Sequence, residues 1–140
     1  MARAAISLLA VFSFFLTSTS QNIEKAFLQN NPRMLYSQFS SEKPINISFP
    51  QPLYFSDQIS DQQAYFFFKN IFSTYSTFEF YSERKITFSG KRGYILKARW
   101  SFKNKKNNNQ YVFHLFFYLS QSSNSSNNLW KITEIRAVKI

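Results

Sequence analysis

Tyr94-Ile-Leu-Lys-Ala-Arg-Trp-Ser-Phe-Lys103 and, beyond the loop Asn104-Lys-Lys-Asn-Asn-Asn109, Gln110-Tyr-Val-Phe-His-Leu-Phe-Phe-Tyr-Leu-Ser120 decide the fold. In the first stretch Leu96, Ala98, Trp100 and Phe102 alternate with Lys97, Arg99, Ser101 and Lys103, the period of two that belongs to a strand with one buried face. The second keeps that period through Phe113, Leu115, Phe117 and Leu119. Setting Trp100 opposite Phe113 brings Ala98 to Leu115 and Leu96 to Phe117, all on one side; a slip by one residue would turn every side chain over.

Working outward, residues 78–88 and 129–139 carry the same alternation, so four strands are predicted at 78–88, 94–103, 110–120 and 129–139. They are split by Ser89-Gly-Lys-Arg-Gly93, by 104–109 and by 121–128. Pairing Phe88 with Tyr94 places Ile86 opposite Leu96 and Phe80 opposite Phe102. The other face then matches Glu83 with Arg99 and Glu79 with Lys103, at the cost of one like-charge pair, Lys85 with Lys97. On the closing strand, Leu119 meets Trp130 and Phe117 meets Ile132.

Upstream the period is helical. Ile23, Ala26 and Phe27 share a helix face, and Asn31-Pro32 is a cap and first-turn proline for a helix carrying Leu35 and Phe39. Ile45, Ile47 and Phe49 alternate between Pro44 and Pro50 as a short edge strand. Ser60-x-x-Gln63 is a capping box, behind which Ala64, Phe67, Phe68, Ile71 and Phe72 form a helical stripe. Helix, strand, helix, then a meander, is an α+β plan: a curved antiparallel sheet with N-terminal helices packed on one face.

Met1-Ala-Arg3 followed by the apolar run Ala4 to Leu16 and by Thr17-Ser-Thr-Ser20 has the order of a signal peptide. The run is shorter than the ~20 residues that cross a bilayer, so no transmembrane segment is expected after cleavage. The expected organisation is a leader over 1–20 and one domain over 21–140, periplasmic or secreted. Loss of Arg3 with the leader lowers the formal charge from +10 to +9, since all seven acids lie beyond residue 20. With 18 Phe and 8 Tyr the chain can fill a core, and with no cysteine it has no disulfide framework and no thiol nucleophile.

The layout resembles a nuclear-transport-factor-2-like, cystatin-like cone, and within it a family of small secreted bacterial proteins of unknown function. The residues that carry the resemblance are Ile23-x-x-Ala26-Phe27, Leu35-x-x-x-Phe39, Gln63-Ala64 leading to Phe67-Phe68, the strand from Tyr94, and Trp130-x-Ile132-x-Glu134-Ile135-Arg136. The chain departs from the pattern with Asn30-Asn31 where a glycine turn is usual. The resemblance implies fold and export; it brings no activity.

One histidine and no cysteine give little from which to build a zinc or iron site, so no cofactor is expected. His114 falls beside Arg99 on the face away from the helices, where a structural role is expected. Gly90-Lys-Arg-Gly93 reads as a hairpin tip, and Asp57 and Asp61 as charges near a helix start. Asn46-Ile-Ser48 and Asn124-Ser-Ser126 match the glycosylation acceptor, which matters only in a eukaryotic source.

One cluster carries chemistry. The register turns Ser82, Arg84, Glu134 and Arg136 to the covered face beside Trp100, and a charge aimed inward must be paired, lie at the mouth or meet a ligand. The cluster is read as an ion pair of Glu134 with Arg84 or Arg136 at the open end or, functionally, as a pocket for a small anionic ligand floored by Trp100. Val112, Phe116 and Tyr118, apolar on the other face, point to a homodimer through the back of the sheet. Nucleic acid is an unfavoured partner, because strand parity separates Trp100 and Phe102 from Lys97, Arg99 and Lys103. The expected function is thus a non-enzymatic binding or assembly module, with a small isomerase- or lyase-like enzyme as the alternative.

Overall fold

The computed structural model describes residues 18–87, 93–121 and 129–140. Three helices, α1 (Thr19–Leu28), α2 (Pro32–Tyr36) and α3 (Asp61–Thr74), lie against one six-stranded sheet: β1 (Ile45–Phe49), β2 (Phe55–Ile59), β3 (Tyr75–Thr87), β4 (Gly93–Asn104), β5 (Gln110–Gln121) and β6 (Trp130–Lys139). The strand order is β2-β1-β6-β5-β4-β3. All neighbours are antiparallel except β1 with β6, which run parallel. Residues 1–17 of the expected leader, the Gly90 hairpin tip, the Phe88 partner of Tyr94 and Asn124 lie outside the described residues, while residues 18–20, also assigned to the leader, form the cap and first turn of α1.

The helices start where their caps stand. Ser60 accepts from the Gln63 amide while the Gln63 side chain accepts from Ser60 N–H, the full capping box, and Asn31 caps α2 with Pro32 in its first turn. Ser18 and Gln21 make the same box at α1. At the other end of α3, Lys105 Nζ donates to the Phe72 carbonyl at 2.9 Å, putting a cation where the helix dipole is negative. Asn30, the departure from a glycine turn, takes φ 49°, a left-handed conformation that asparagine tolerates. Its side chain then does what glycine could not, donating to Tyr75 O at 3.1 Å and accepting from Thr77 N at 3.2 Å. The turn between α1 and α2 is thereby tied to the α3–β3 junction.

The wall expected from the two-residue period is present. Leu96, Trp100, Phe113 and Ile132 are at most 3 % exposed, on one side of the sheet, beneath Phe27, Phe68 and Phe72. The β4–β5 register is the one read from sequence, Trp100 with Phe113, Ala98 with Leu115 and Leu96 with Phe117. Gly93 sits where an added Cβ would come 3.0 Å from Leu119 O, so the close approach of β4 and β5 there wants a glycine.

Elsewhere the register differs. Two irregularities in β3 step the pairing, so that Lys85 faces Leu96, Phe80 faces Trp100 and Thr77 faces Phe102. Lys85 is thus moved off Lys97, whose partner becomes Arg84, and Lys85 Nζ instead stands 4.1 Å from the centre of the Tyr94 ring. In β6 a further irregularity at Thr133 pairs Leu119 with Ile132 but Phe117 with Ile135. An extra residue reverses the facing of everything beyond it.

The expected edge strand at 45–49 forms but is internal, because β2 covers it. β2 was not anticipated: Phe-Ser-Asp-Gln-Ile offers too little apolar alternation, and Asp57 falls in it rather than at the helix start. β3 begins at Tyr75 rather than Phe78, directly from α3. Phe39 lies past α2 and bridges to Ile132. Both sheet edges are poor templates for further pairing: β2 is five residues long, and β3 is stepped twice and carries Glu79, Glu83, Arg84 and Lys85.

Candidate functional site

The five residues expected to share a pocket are not brought together. Trp100 is fully buried as a pillar of the core: its ring stacks on Phe102 with centres 3.9 Å apart, and its Nε1 donates to Thr77 Oγ1 at 2.9 Å. Glu134 and Arg136 pair with Tyr118 and Phe116 on the outer face, because the Thr133 irregularity turned them away from the helices. There they share a shallow cleft of about 430 Å³ with Asn46, Ser48, Ser56 and Gln58. Ser82 stays on the inner side opposite Ala98, while Arg84, past the step in β3, is matched with Lys97.

The interior is closed by rings. Phe27 alone lies within 6.0 Å, centre to centre, of Phe68, Phe72, Phe80, Trp100 and Phe117. Among the described residues Ser40 and Ser101 are the only buried residues of polar or charged type, so apart from the phenol of Tyr94 no titratable group stands inside: no carboxylate, no imidazole and no cation. The ion contacts also lie on the outer face: Glu83 to Lys97 at 3.4 Å, Glu79 to Arg99 at 3.5 Å, and Glu83 Oε1 to His114 Nδ1 at 3.2 Å. His114 is beside Arg99 as expected. Neither Glu134 nor the two arginines, Arg84 and Arg136, joins an ion pair among the described residues. No group of three His, Cys, Asp or Glu side chains able to hold a metal occurs among them either.

The inner side does open at one end. A cleft of about 510 Å³ lies between residues 18–20 at the start of α1 and the β3–β4 end of the sheet, lined there by Ser82, Glu83, Arg84, Lys85, Tyr94, Leu96 and Trp130 among others. Tyr94 and Trp130 meet edge to face with centres 5.0 Å apart. Burial raises the Tyr94 pKa above the ordinary phenol value, so its hydroxyl is a donor at neutral pH. Ser82 Oγ is buried with no hydrogen-bond partner, a group that costs free energy unless something in the cleft meets it. Lys85, Tyr94 and Trp130 were missed by sequence reasoning. The available signal was an aromatic at the start of each of two strands; the step that brings Lys85 opposite Leu96 has none.

Helices on one face of a strongly curved, unclosed sheet of this strand order now decide the architecture. The fold is the nuclear-transport-factor-2-like cone. A DUF4783 family protein from Bacteroides uniformis superposes with TM-score 0.67 at 13 % identity, over 86 % of this chain and 95 % of that one. An NTF2-like protein from Cytophaga hutchinsonii gives 0.60 at 9 % identity, over 87 % and 93 %. A ketosteroid isomerase-like protein from Erwinia carotovora atroseptica gives 0.62 at 12 % identity, over 83 % and 86 %. At these identities the likeness is one of fold. No protein-family model and no curated protein matches the sequence. Among the described residues no helix of the cone is long and apolar enough to cross a membrane.

Proposed function

We propose that this cone is an exported, non-enzymatic binding module that takes a small anionic ligand at its open end. The observation that carries the reading is the pairing of an interior without carboxylate or imidazole with an end cleft where Arg84 and Lys85 stand beside one acid, Glu83, itself engaged by Lys97 and His114, and where Tyr94 and Trp130 supply the rings. Proton transfer at a substrate carbon needs a carboxylate or imidazole facing the substrate. Glu134 and His114, the candidates for that task, face outward. An isomerase- or lyase-like enzyme draws support only from neighbours described in those terms, such as the Erwinia protein.

The cleft asks for a ligand with an anionic head for Arg84 and Lys85 and an apolar body for Leu96 and Trp130. Benzoate, phenyl phosphate and decanoate are suitable probes for titration calorimetry. A hydrogen bond to a charged group is worth about 1.5–3 kcal/mol, so Arg84→Ala or Lys85→Ala should weaken binding by roughly tenfold or more. Binding by none of the three, or binding indifferent to both substitutions, would refute the assignment. The outer face, with Val112, Phe116, Tyr118 and the exposed Tyr81 and Val138, supports assembly of two copies back to back.

A further inference from the structure

The stripe of α3 that meets the core is Ala64, Phe68, Ile71 and Phe72. Tyr65 and Phe66 lie off that stripe, and Phe66 is 59 % exposed. Single exposed rings need no explanation, but rings gathered around a concavity do. Tyr36 from α2 meets Tyr65 edge to face with centres 5.7 Å apart, and Tyr65 meets Phe66 likewise at 5.2 Å. With Arg33 and Gln62 they line a cleft of about 480 Å³ on the helix layer that shares no lining residue with the open end.

Its rim is furnished with hydrogen-bonding groups that serve nothing inside the molecule. The Arg33 guanidinium, the Gln62 amide and the Tyr36 and Tyr65 hydroxyls make no side-chain hydrogen bond or ion pair among the described residues. Lys69 Nζ stands 6.0 Å from the Phe66 ring centre, adding a donor at the edge. The occupant must therefore be amphipathic in a particular way, with an apolar face for the rings and a periphery dense in hydroxyls for the rim. The C–H face of a pyranose is slightly positive and suits the negative face of an aromatic ring, while its equatorial hydroxyls both donate and accept. Charge argues against an anionic surface as the occupant. The lining carries a single charge, Arg33, with Lys69 beside the Phe66 ring, two cations where an anionic surface would be met by a cluster.

The geometry points to a saccharide-binding site at Tyr36, Tyr65 and Phe66, with Arg33 and Gln62 reading the hydroxyls of a neutral glycan chain. The test is a calorimetric or chemical-shift titration of the whole protein with cellohexaose, maltohexaose, xylohexaose and the hexamer of N-acetylglucosamine. At least one should bind at millimolar concentration, and Phe66→Ala should weaken it tenfold or more. Gln62→Ala, a change on the rim alone, should weaken the same glycan severalfold, while Arg84→Ala, at the other cleft, leaves it unchanged. The assignment is overturned if none of the four binds, or if binding survives Phe66→Ala. It is equally overturned if Phe66→Ala abolishes only self-association or attachment to anionic phospholipid vesicles.

Discussion

Phe27→Ala and Phe66→Ala delete the same atoms from two helices and should have opposite consequences. Phe27 is fully buried, stacked on Phe80 at 4.5 Å and in edge contact with Phe72 and Trp100 at 5.4 and 5.2 Å. Truncating a ring in such a place costs about 3–5 kcal/mol in lost transfer free energy and residual cavity. Aromatic pairs add about 0.5–1.5 kcal/mol each beyond area, so the upper half of that range is expected. With a urea m-value of about 1.5 kcal/mol/M, a loss of ~4 kcal/mol lowers the unfolding midpoint by roughly 2.5 M. That is a large part of the ~5–15 kcal/mol by which a domain is stable, so Phe27→Ala should be marginally folded at room temperature. Phe66→Ala removes a solvent-facing ring and should change stability by no more than about 0.5 kcal/mol. Equilibrium urea unfolding followed by tryptophan fluorescence reads both, since Trp100 borders Phe27. Midpoints within about 0.5 M of each other, a difference of under ~1 kcal/mol, would refute the assignment of which helix faces meet the core.

Burial raises the pKa of Tyr94, and burial with the neighbouring Tyr111 raises that of Tyr75, so both resist ionisation in the folded state. Their contribution is complete below the unfolded-state pKa of about 10 and is lost as pH climbs beyond it. Stability should therefore fall above pH ~10, less steeply in Tyr94→Phe; an identical decline in wild type and variant would contradict this. If two copies join through the outer face, sedimentation at micromolar concentration should show a dimer that Phe116→Glu dissociates, and a monomeric wild type would end the proposal. If residues 1–20 are a leader, intact-mass measurement on protein collected outside the cytoplasm should find Gln21 first; retention of Met1 would overturn it.

The parts of the cone legible in the sequence are those governed by one local rule. Trp100 against Phe113 followed from period two, and the Ser60–Gln63 box from cap chemistry, because neither depends on distant residues. Strand β2 was hidden because its stability comes from Ile45, Ile47 and Phe49 alongside rather than from its own side chains. The candidate pocket failed for a different reason. Ser82 was aimed correctly, but Arg84 lies past one irregularity and Glu134 and Arg136 past another, and each such step leaves no mark in residue type. Reading Trp100 as a pocket floor failed because Phe27 and Phe49 pack against its ring, a fact of packing volume rather than of pattern.

Thr133 gives β6 an unequal tolerance to change. Swapping Glu134 or Arg136 for another polar residue leaves the core untouched, since both are borne on the outer side. Removing Thr133 would only take out the extra residue, leaving Ile132, Glu134 and Ile135 in plain alternation with their present partners. A residue added between Ile135 and Arg136 would instead turn Arg136 in among phenylalanines and lift Ala137 into water. For this strand, spelling is negotiable and added length is not, so among descendants of this chain substitutions should accumulate at 134 and 136 while single-codon insertions beyond 135 are purged.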